Sequence, residues 1–190
     1  MWALVTDNTI TKIINNPRAL VIGDTQYSRN IFSFRWSNEE REAIGLYEVV
    51  FDNTNKKDEA YYNNTNQTFA FADGAVTASY GSATANALAD VTDEDDNVTL
   101  GLKSKHKEII KRQASGLLTP TDWQVIKATE VESYSVPSAI TTYRAGVRTA
   151  SNDMETHIDN AANVDALAAL YVYNDADPRV RPLGEFPEAV

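Results

Sequence analysis

The chain has no cysteine, which removes disulfides, thiolate metal sites and thiol nucleophiles together. Histidine is nearly as scarce. His106 and His157 are the only two, and they leave the usual zinc ligand sets almost without donors. Glycine numbers 8 in 190 residues, few for loops that cradle phosphates. None of the G-x-S-x-G, P-loop, H-E-x-x-H or G-x-G-x-x-G motifs occurs. Long apolar runs are missing too. Asp7 and Asn8 interrupt the opening Met1–Val5, and the longest uncharged stretch, 74–89, is rich in Ser, Thr, Asn and Ala. A segment of that polarity neither serves as a secretion signal nor spans a bilayer. Bases are outnumbered, 17 Lys and Arg against 27 Asp and Glu, for a net charge of −10. Such a surface repels phosphates and anionic lipid, which argues against a nucleic-acid or membrane partner. The expectation is a soluble protein of an intracellular compartment or a larger assembly, needing no metal and no cofactor.

What is present is ordinary for a folded chain, with 43% hydrophobic and 23% charged residues. A chain of this length makes one domain or two small ones and buries roughly 70% of its unfolded surface. Charge and texture both change near residue 100. Residues 1–99 carry 7 bases and 15 acids, whereas residues 100–190 carry 10 and 12. Before residue 80, short β-prone runs alternate with turn residues. Trp2–Val5 and Ile10–Ile14 have hairpin texture around Asp7-Asn8, and Leu20–Ile22 and Leu46–Phe51 are further strands. Phe32, Phe34 and Trp36 alternate with Ser33 and Arg35, which predicts a half-buried strand over 31–36. Asn38 is placed to cap a short helix that Gly45 ends, and Tyr61–Phe71 suggests a second hairpin.

The second half has helical periodicity. Leu102, His106, Ile109, Ile110, Gln113 and Leu117 share one face of a helix. Thr121 and Gln124 have capping-box spacing, so a new helix is expected there, with Trp123 in its first turn and an end near Val136. Pro137 opens the next, in which Ile140, Tyr143, Val147, Ala150, Met154, Ile158 and Ala161 form one apolar stripe. A last helix runs from Val164 to about Tyr173. The fold class is therefore α+β: a β-rich domain over 1–85, an acidic linker over 86–99, three to four helices over 100–174, and an extended tail over 175–190.

Few residues nominate a chemical site. Asp93, Asp95 and Asn97 open like a calcium loop, but Val98 stands where its glycine is needed and Ser104 where its bidentate Glu belongs. Calcium is rejected. His157 sits among Asp153, Glu155 and Asp159, the one place where a carboxylate- or metal-dependent enzyme site could be built; a solvated helix face explains it as well. No catalytic residue is assigned.

The most specific pattern lies in the helical half: Leu117-Leu118-x-x-Thr121-Asp122-Trp123, then Glu130, Val136-Pro137 and Tyr143-Arg144-x-x-Val147-Arg148. It resembles the C-terminal helical region of bacteriophage tail-assembly and tail-fibre-assembly (chaperone-like) proteins. Leu118, Thr121, Asp122, Trp123, Pro137, Tyr143, Arg144 and Arg148 match that pattern, while Lys127, Ser133 and Val147 depart from it. The resemblance covers residues 100–150. It implies a non-enzymatic tail or tail-fibre component of the virion that contacts other tail proteins as a homo- or hetero-oligomer. The alternative is a transient assembly chaperone of the host cytoplasm, absent from the finished particle. Physically, Thr121 caps, Asp122 suits the helix N-terminus, Trp123 packs under a helix joint and Pro137 sets the next turn. Tyr143 lies on the apolar stripe. Arg144 and Arg148, four apart, make a basic ridge beside it and are the expected partner-binding residues.

Overall fold

Asp7 and Asn8 take φ angles of 50° and 60°, the left-handed pair that a two-residue hairpin turn requires. They join β1 (Trp2–Thr6) to β2 (Thr9–Ile14) in a computed structural model that describes all of residues 1–190. The chain divides into two units, Met1–Thr84 and Ala85–Val190. In the first, β3 (Leu20–Ile22) and β4 (Thr25–Tyr27) form a separate small hairpin. A short helix α1 (Asn38–Glu42) leads into β5 (Leu46–Asp52), which pairs antiparallel with β1. A short β6 (Tyr62–Asn63) is followed by β7 (Thr68–Ala72) and β8 (Ala75–Ser79), joined through Asp73-Gly74, both at positive φ. β8 lies parallel to β5, so the curled sheet runs β2-β1-β5-β8-β7. The second hairpin is therefore at 68–79, around the Asp-Gly pair, and not at Tyr61–Phe71; Tyr62–Asn63 pairs instead with β9 (Thr84–Ala85).

Alternation sorts the two faces of this sheet. Ala3, Val5, Val49, Val76 and Ala78 bury one side together with Tyr47, Phe69 and Phe71. Ile14, Leu20, Ile31 and Leu46 bury the other with Trp2, Phe32 and Trp36. The strand expected over 31–36 does not form. Arg29–Phe32 is a turn of 3₁₀ helix, and Phe34 projects with 95% of its surface exposed. Serines spaced along this segment bond the nearby backbone and so compete with a strand. The Ser28 hydroxyl accepts from Asn30 N–H, and the Ser33 hydroxyl donates to Asn30 C=O at 2.7 Å. Ser37, not Asn38, caps α1, in a reciprocal capping box with Glu40. Asn38 instead accepts from Arg41. The buried Arg41 also donates to the carbonyls of Ile31 (2.8 Å) and Ser33 (2.5 Å) and lies 4.9 Å from the Trp2 ring.

In the second unit, the segment expected as an acidic linker is a folded cap. β10 (Val91–Thr92) and β11 (Val98–Thr99) pair around a turn in which Asp93 accepts from the N–H groups of Asp95 and Asn97. The helix α2 (Leu102–Glu130) begins at Gly101 without a side-chain cap. Its first donors are satisfied from this segment: Leu102 N–H by Ala87 C=O (2.9 Å), Lys103 N–H by Leu88 C=O (3.0 Å) and Gly101 N–H by Asp90 (2.8 Å). The acids here also complement the positive end of the helix dipole.

α2 then runs unbroken through Pro120, so no new helix starts at Thr121. It packs antiparallel on α3 (Ser138–Asn160), and α4 (Val164–Ala169) follows, four residues shorter than expected. Pro137 directly precedes α3, and Tyr143, Val147, Met154, Ile158 and Ala161 of the stripe are buried. The tail over 175–190 has no regular element, but it is packed. Leu183 is buried and bonds Leu170 C=O at 2.9 Å, and Phe186 covers the Ala114, Tyr143 and Val147 cluster. The architecture is α+β, a β-rich unit followed by a helical one.

Arg41→Ala would leave the carbonyls of Ile31 and Ser33 without their donor, so it should lower the stability of the first unit by about 2–3 kcal/mol. Urea unfolding followed by tryptophan fluorescence, with Trp2 and Trp36 in this unit, measures that loss.

Candidate functional site

The residues that carry the resemblance meet at one point of the α2–α3 interface, and the reason is Pro120. A proline inside a helix has no N–H for the carbonyl four residues back and crowds that carbonyl with its ring. Here that carbonyl belongs to Gly116. The next two carbonyls receive donors from α3. Tyr143 Oη donates to Leu117 C=O at 3.5 Å, and Arg144 Nη1 donates to Leu118 C=O at 2.8 Å. Arg144 Nη1 also reaches Thr121 Oγ1 (2.5 Å), and Nη2 pairs with Asp122 Oδ1 (2.7 Å). Thr121 completes the set by donating its hydroxyl to Leu118 C=O at 2.8 Å.

Arg144 is thus a buried clasp, only 8% exposed, and not part of an outward ridge. Its fork bonds Leu118 C=O, Thr121 and Asp122 together, the arrangement a planar guanidinium permits and an ammonium does not. Arg148, one turn on, is exposed and donates only to Arg144 C=O at 3.3 Å. The expected partner-binding pair is therefore divided. Thr121 is buried in mid-helix and caps nothing, because the helix does not begin there. Gln124, its supposed capping-box partner, accepts from Tyr134 Oη instead.

Trp123 is displaced from its expected role as well. With α2 continuous, Asp122 faces Arg144 and the next residue is carried away from α3, leaving Trp123 56% exposed. Ile126, three residues on and so on the same helix face, is 55% exposed. Lys127 Nζ lies 5.9 Å from the Trp123 ring and 4.5 Å from the Tyr134 ring, bordering the patch with a cation. This apolar face at the end of α2 is the candidate contact site. The sequence did hold its signal, since Trp123 and Ile126 recur at helical spacing, but assigning a helix start to Thr121 turned that face inward.

The carboxylates around His157 are engaged by α2. Asp159 pairs with Lys107 at 2.8 Å and its carbonyl accepts from Lys103, while Glu155 pairs with Lys111 at 3.3 Å. These contacts lay an ionic seam along the helix pair. His157 Nδ1 lies 3.3 Å from Leu183 C=O. No three His, Asp or Glu side chains come together in a set that could hold a metal ion. No helix is long and apolar enough to cross a membrane. Asp93, the first residue of the apparent calcium loop, spends its oxygens on backbone N–H groups and the Asn97 amide, which hold its carboxyl below the usual range.

His106 lies against Tyr171, Nδ1 to Oη 2.6 Å, with Arg181 over the far ring. Burial lowers its pKa from the ordinary 6.5. No protein-family model, curated protein or solved structure matches the chain, so its functional reading rests on the residues themselves.

Two outcomes follow from this geometry. Arg144→Ala should cost about 2–3 kcal/mol, because it removes the buried donor of Leu118 C=O and Thr121 while the half-exposed Asp122 regains water, and Arg144→Lys should restore little of it. Arg148→Ala should stay within about 0.5 kcal/mol; chemical denaturation of the three variants separates the residues. For His106 the unfolded chain binds the proton more tightly than the folded one. Its contribution is therefore neutral above the unfolded value of 6.5 and becomes destabilising as pH falls through and below it. Melting temperatures from pH 7.5 to 5 should fall less steeply for His106→Gln than for the parent.

Proposed function

We propose that the protein is a non-enzymatic component of a bacteriophage tail or tail fibre, held in the virion by protein–protein contacts. The observation that carries this reading is the Trp123–Ile126 face: a large aromatic and an aliphatic side chain, exposed on a helix that the Arg144 clasp holds still. Tryptophan in such a position is the residue type that most often dominates a protein interface. A clamped helix also loses little freedom on association, so contact energy is not spent on ordering it. The resemblance supplies the setting. Leu118, Thr121, Asp122 and Arg144, four of its matching positions, form one bonded cluster whose outward neighbour is Trp123. The partner is accordingly another tail or tail-fibre protein.

Mass spectrometry of purified virions tests the assignment. Stoichiometric presence of the chain supports a structural role, and absence from virions with presence in assembly intermediates moves it to a transient chaperone. Trp123→Ala and Ile126→Ser should each weaken co-purification with tail or fibre proteins about tenfold or more. Both should melt close to the parent, because neither side chain is in a core. Normal assembly by both variants would remove this face from the interface.

A further inference from the structure

Beyond α4 the chain takes no regular element, yet residues 171–190 are fastened to the helix pair at successive points. Leu183 is buried, and its N–H donates to Leu170 C=O at 2.9 Å. Phe186 covers the Ala114, Tyr143 and Val147 cluster, and the Pro187 ring lies against Gly146. Arg181 stands over the Tyr171 and Tyr173 rings, 5.8 and 5.3 Å from their centroids. Glu185 ties Arg181 down at 2.8 Å and accepts from Tyr173 Oη at 2.7 Å. A strap held mainly by side chains, without a ladder of backbone bonds, opens at lower free energy than the helices beneath it.

Both histidines of the chain face this strap. His157 of α3 places Nδ1 3.3 Å from Leu183 C=O. A carbonyl only accepts, so Nδ1 carries its hydrogen there and the contact is indifferent to the charge on the ring. His106 of α2 is placed differently. It is half-buried, its ring centroid 4.9 Å from that of Tyr171 and its Nδ1 2.6 Å from Tyr171 Oη. A phenol donates to the neutral ring and accepts from the cation, so protonation spares this bond. What protonation costs is hydration. The new charge lies against the Tyr171 ring, and the Arg181 cation stands over that same ring. On α2 itself, Lys103 is one turn back and Lys107 is next in sequence; Asp159 of α3 accepts from both ammonium groups. Burial holds the His106 pKa below its ordinary 6.5, and lifting the strap returns the ring to water.

We propose that the strap over 171–190 is an acid-sensitive latch: His106 takes up a proton as the strap lifts, and the α2–α3 seam under Leu183 and Phe186 is uncovered. The sign follows from linkage. Above 6.5 neither form holds the proton, and opening is independent of pH. As pH falls below 6.5 the open form binds it first, and opening rises by at most about tenfold per pH unit. This inference does not rest on the tail assignment.

Hydrogen exchange of the full chain, read by mass spectrometry from pH 7.5 to 5.5 and corrected for intrinsic exchange rates, is the test. The Leu183 and Gly184 amides, bonded to Leu170 and Arg181, should lose protection about three- to tenfold across that range. Amides in the middle of α2 and α3 should keep theirs. His106→Gln should abolish the pH dependence. His157→Gln, which alters the other histidine contact, should loosen the strap at every pH and leave the dependence in place. Leu183→Ser, which removes the buried anchor, should bring the His106 titration, followed by proton NMR, up to the ordinary 6.5. Strap protection that does not change with pH, a His106→Gln variant that responds as the parent does, or a response that disappears with His157→Gln would each overturn the proposal. So would helices that lose protection together with the strap, or a His106 titration that Leu183→Ser leaves unmoved.

Discussion

The helical unit depends on a single buried guanidinium. Pro120 removes one N–H from α2, and beside it Arg144 and Tyr143 reach across from α3 to the carbonyls of Leu118 and Leu117. The same side chain bonds Thr121 and Asp122, so a positive charge that would be costly in the seam is matched by a carboxylate, a hydroxyl and a carbonyl. Apolar stripes slide by a turn at modest cost, but a fork with three fixed acceptors does not. Only one register of α3 against α2 brings Arg144 onto Leu118, Thr121 and Asp122 together. The ionic seam farther along, Lys111–Glu155 and Lys107–Asp159, falls into the same register without having to create it.

The β-rich unit solves a similar problem by similar means. Arg41 is buried among Ile31, Ser33, Asn38 and the Trp2 ring, and its partners are carbonyl and amide oxygens with no carboxylate among them. What it secures is an irregular segment that offers the sheet no strand. In each unit an arginine from a helix holds a stretch of backbone whose own hydrogen bonding is incomplete, and beside each lies an exposed aromatic, Trp123 or Phe34. The exposure follows from the clasp. Turning Asp122 toward Arg144 turns Trp123 away, and drawing the carbonyls of Ile31 and Ser33 inward leaves the following residue at the apex.

How much of this could be read from the residues depends on whether the deciding interaction was local. The β1–β2 hairpin, the α3 stripe and the α+β class follow from Asp7-Asn8 and from apolar periodicity, and these were legible. The hairpin at 68–79 is equally local, since Asp73-Gly74 is a strong turn pair, but the aromatic run Tyr61–Phe71 drew the expected hairpin upstream of it. The remaining differences come from long-range bonds. Thr121 and Gln124 have the spacing of a capping box, and only an arginine 23 positions later makes Thr121 a mid-helix residue. The alternation at 31–36 is real in sequence, yet Arg41 and the serines hold that segment in turns. The acidic run at 86–99 has the composition of a linker, while its carbonyls cap a helix that begins with a glycine. Arg144 and Arg148 were singled out together, but burial separates them.

These errors share a direction that bears on the site. At Thr121 and Arg144 a polar residue expected to act on its own neighbourhood acts across the helix pair, and inside and outside are exchanged next to it. Arg144, expected outward, is core, and Trp123, expected in the core, is surface. The motif that carries the resemblance therefore has two layers. Thr121, Asp122, Tyr143 and Arg144 specify how two helices lock, which any protein with this proline turn requires whatever it binds. Trp123 takes no part in that lock: it is 56% exposed, and the cation beside its ring is Lys127 of the same helix. Trp123 is the part of the motif on which the proposed contact rests.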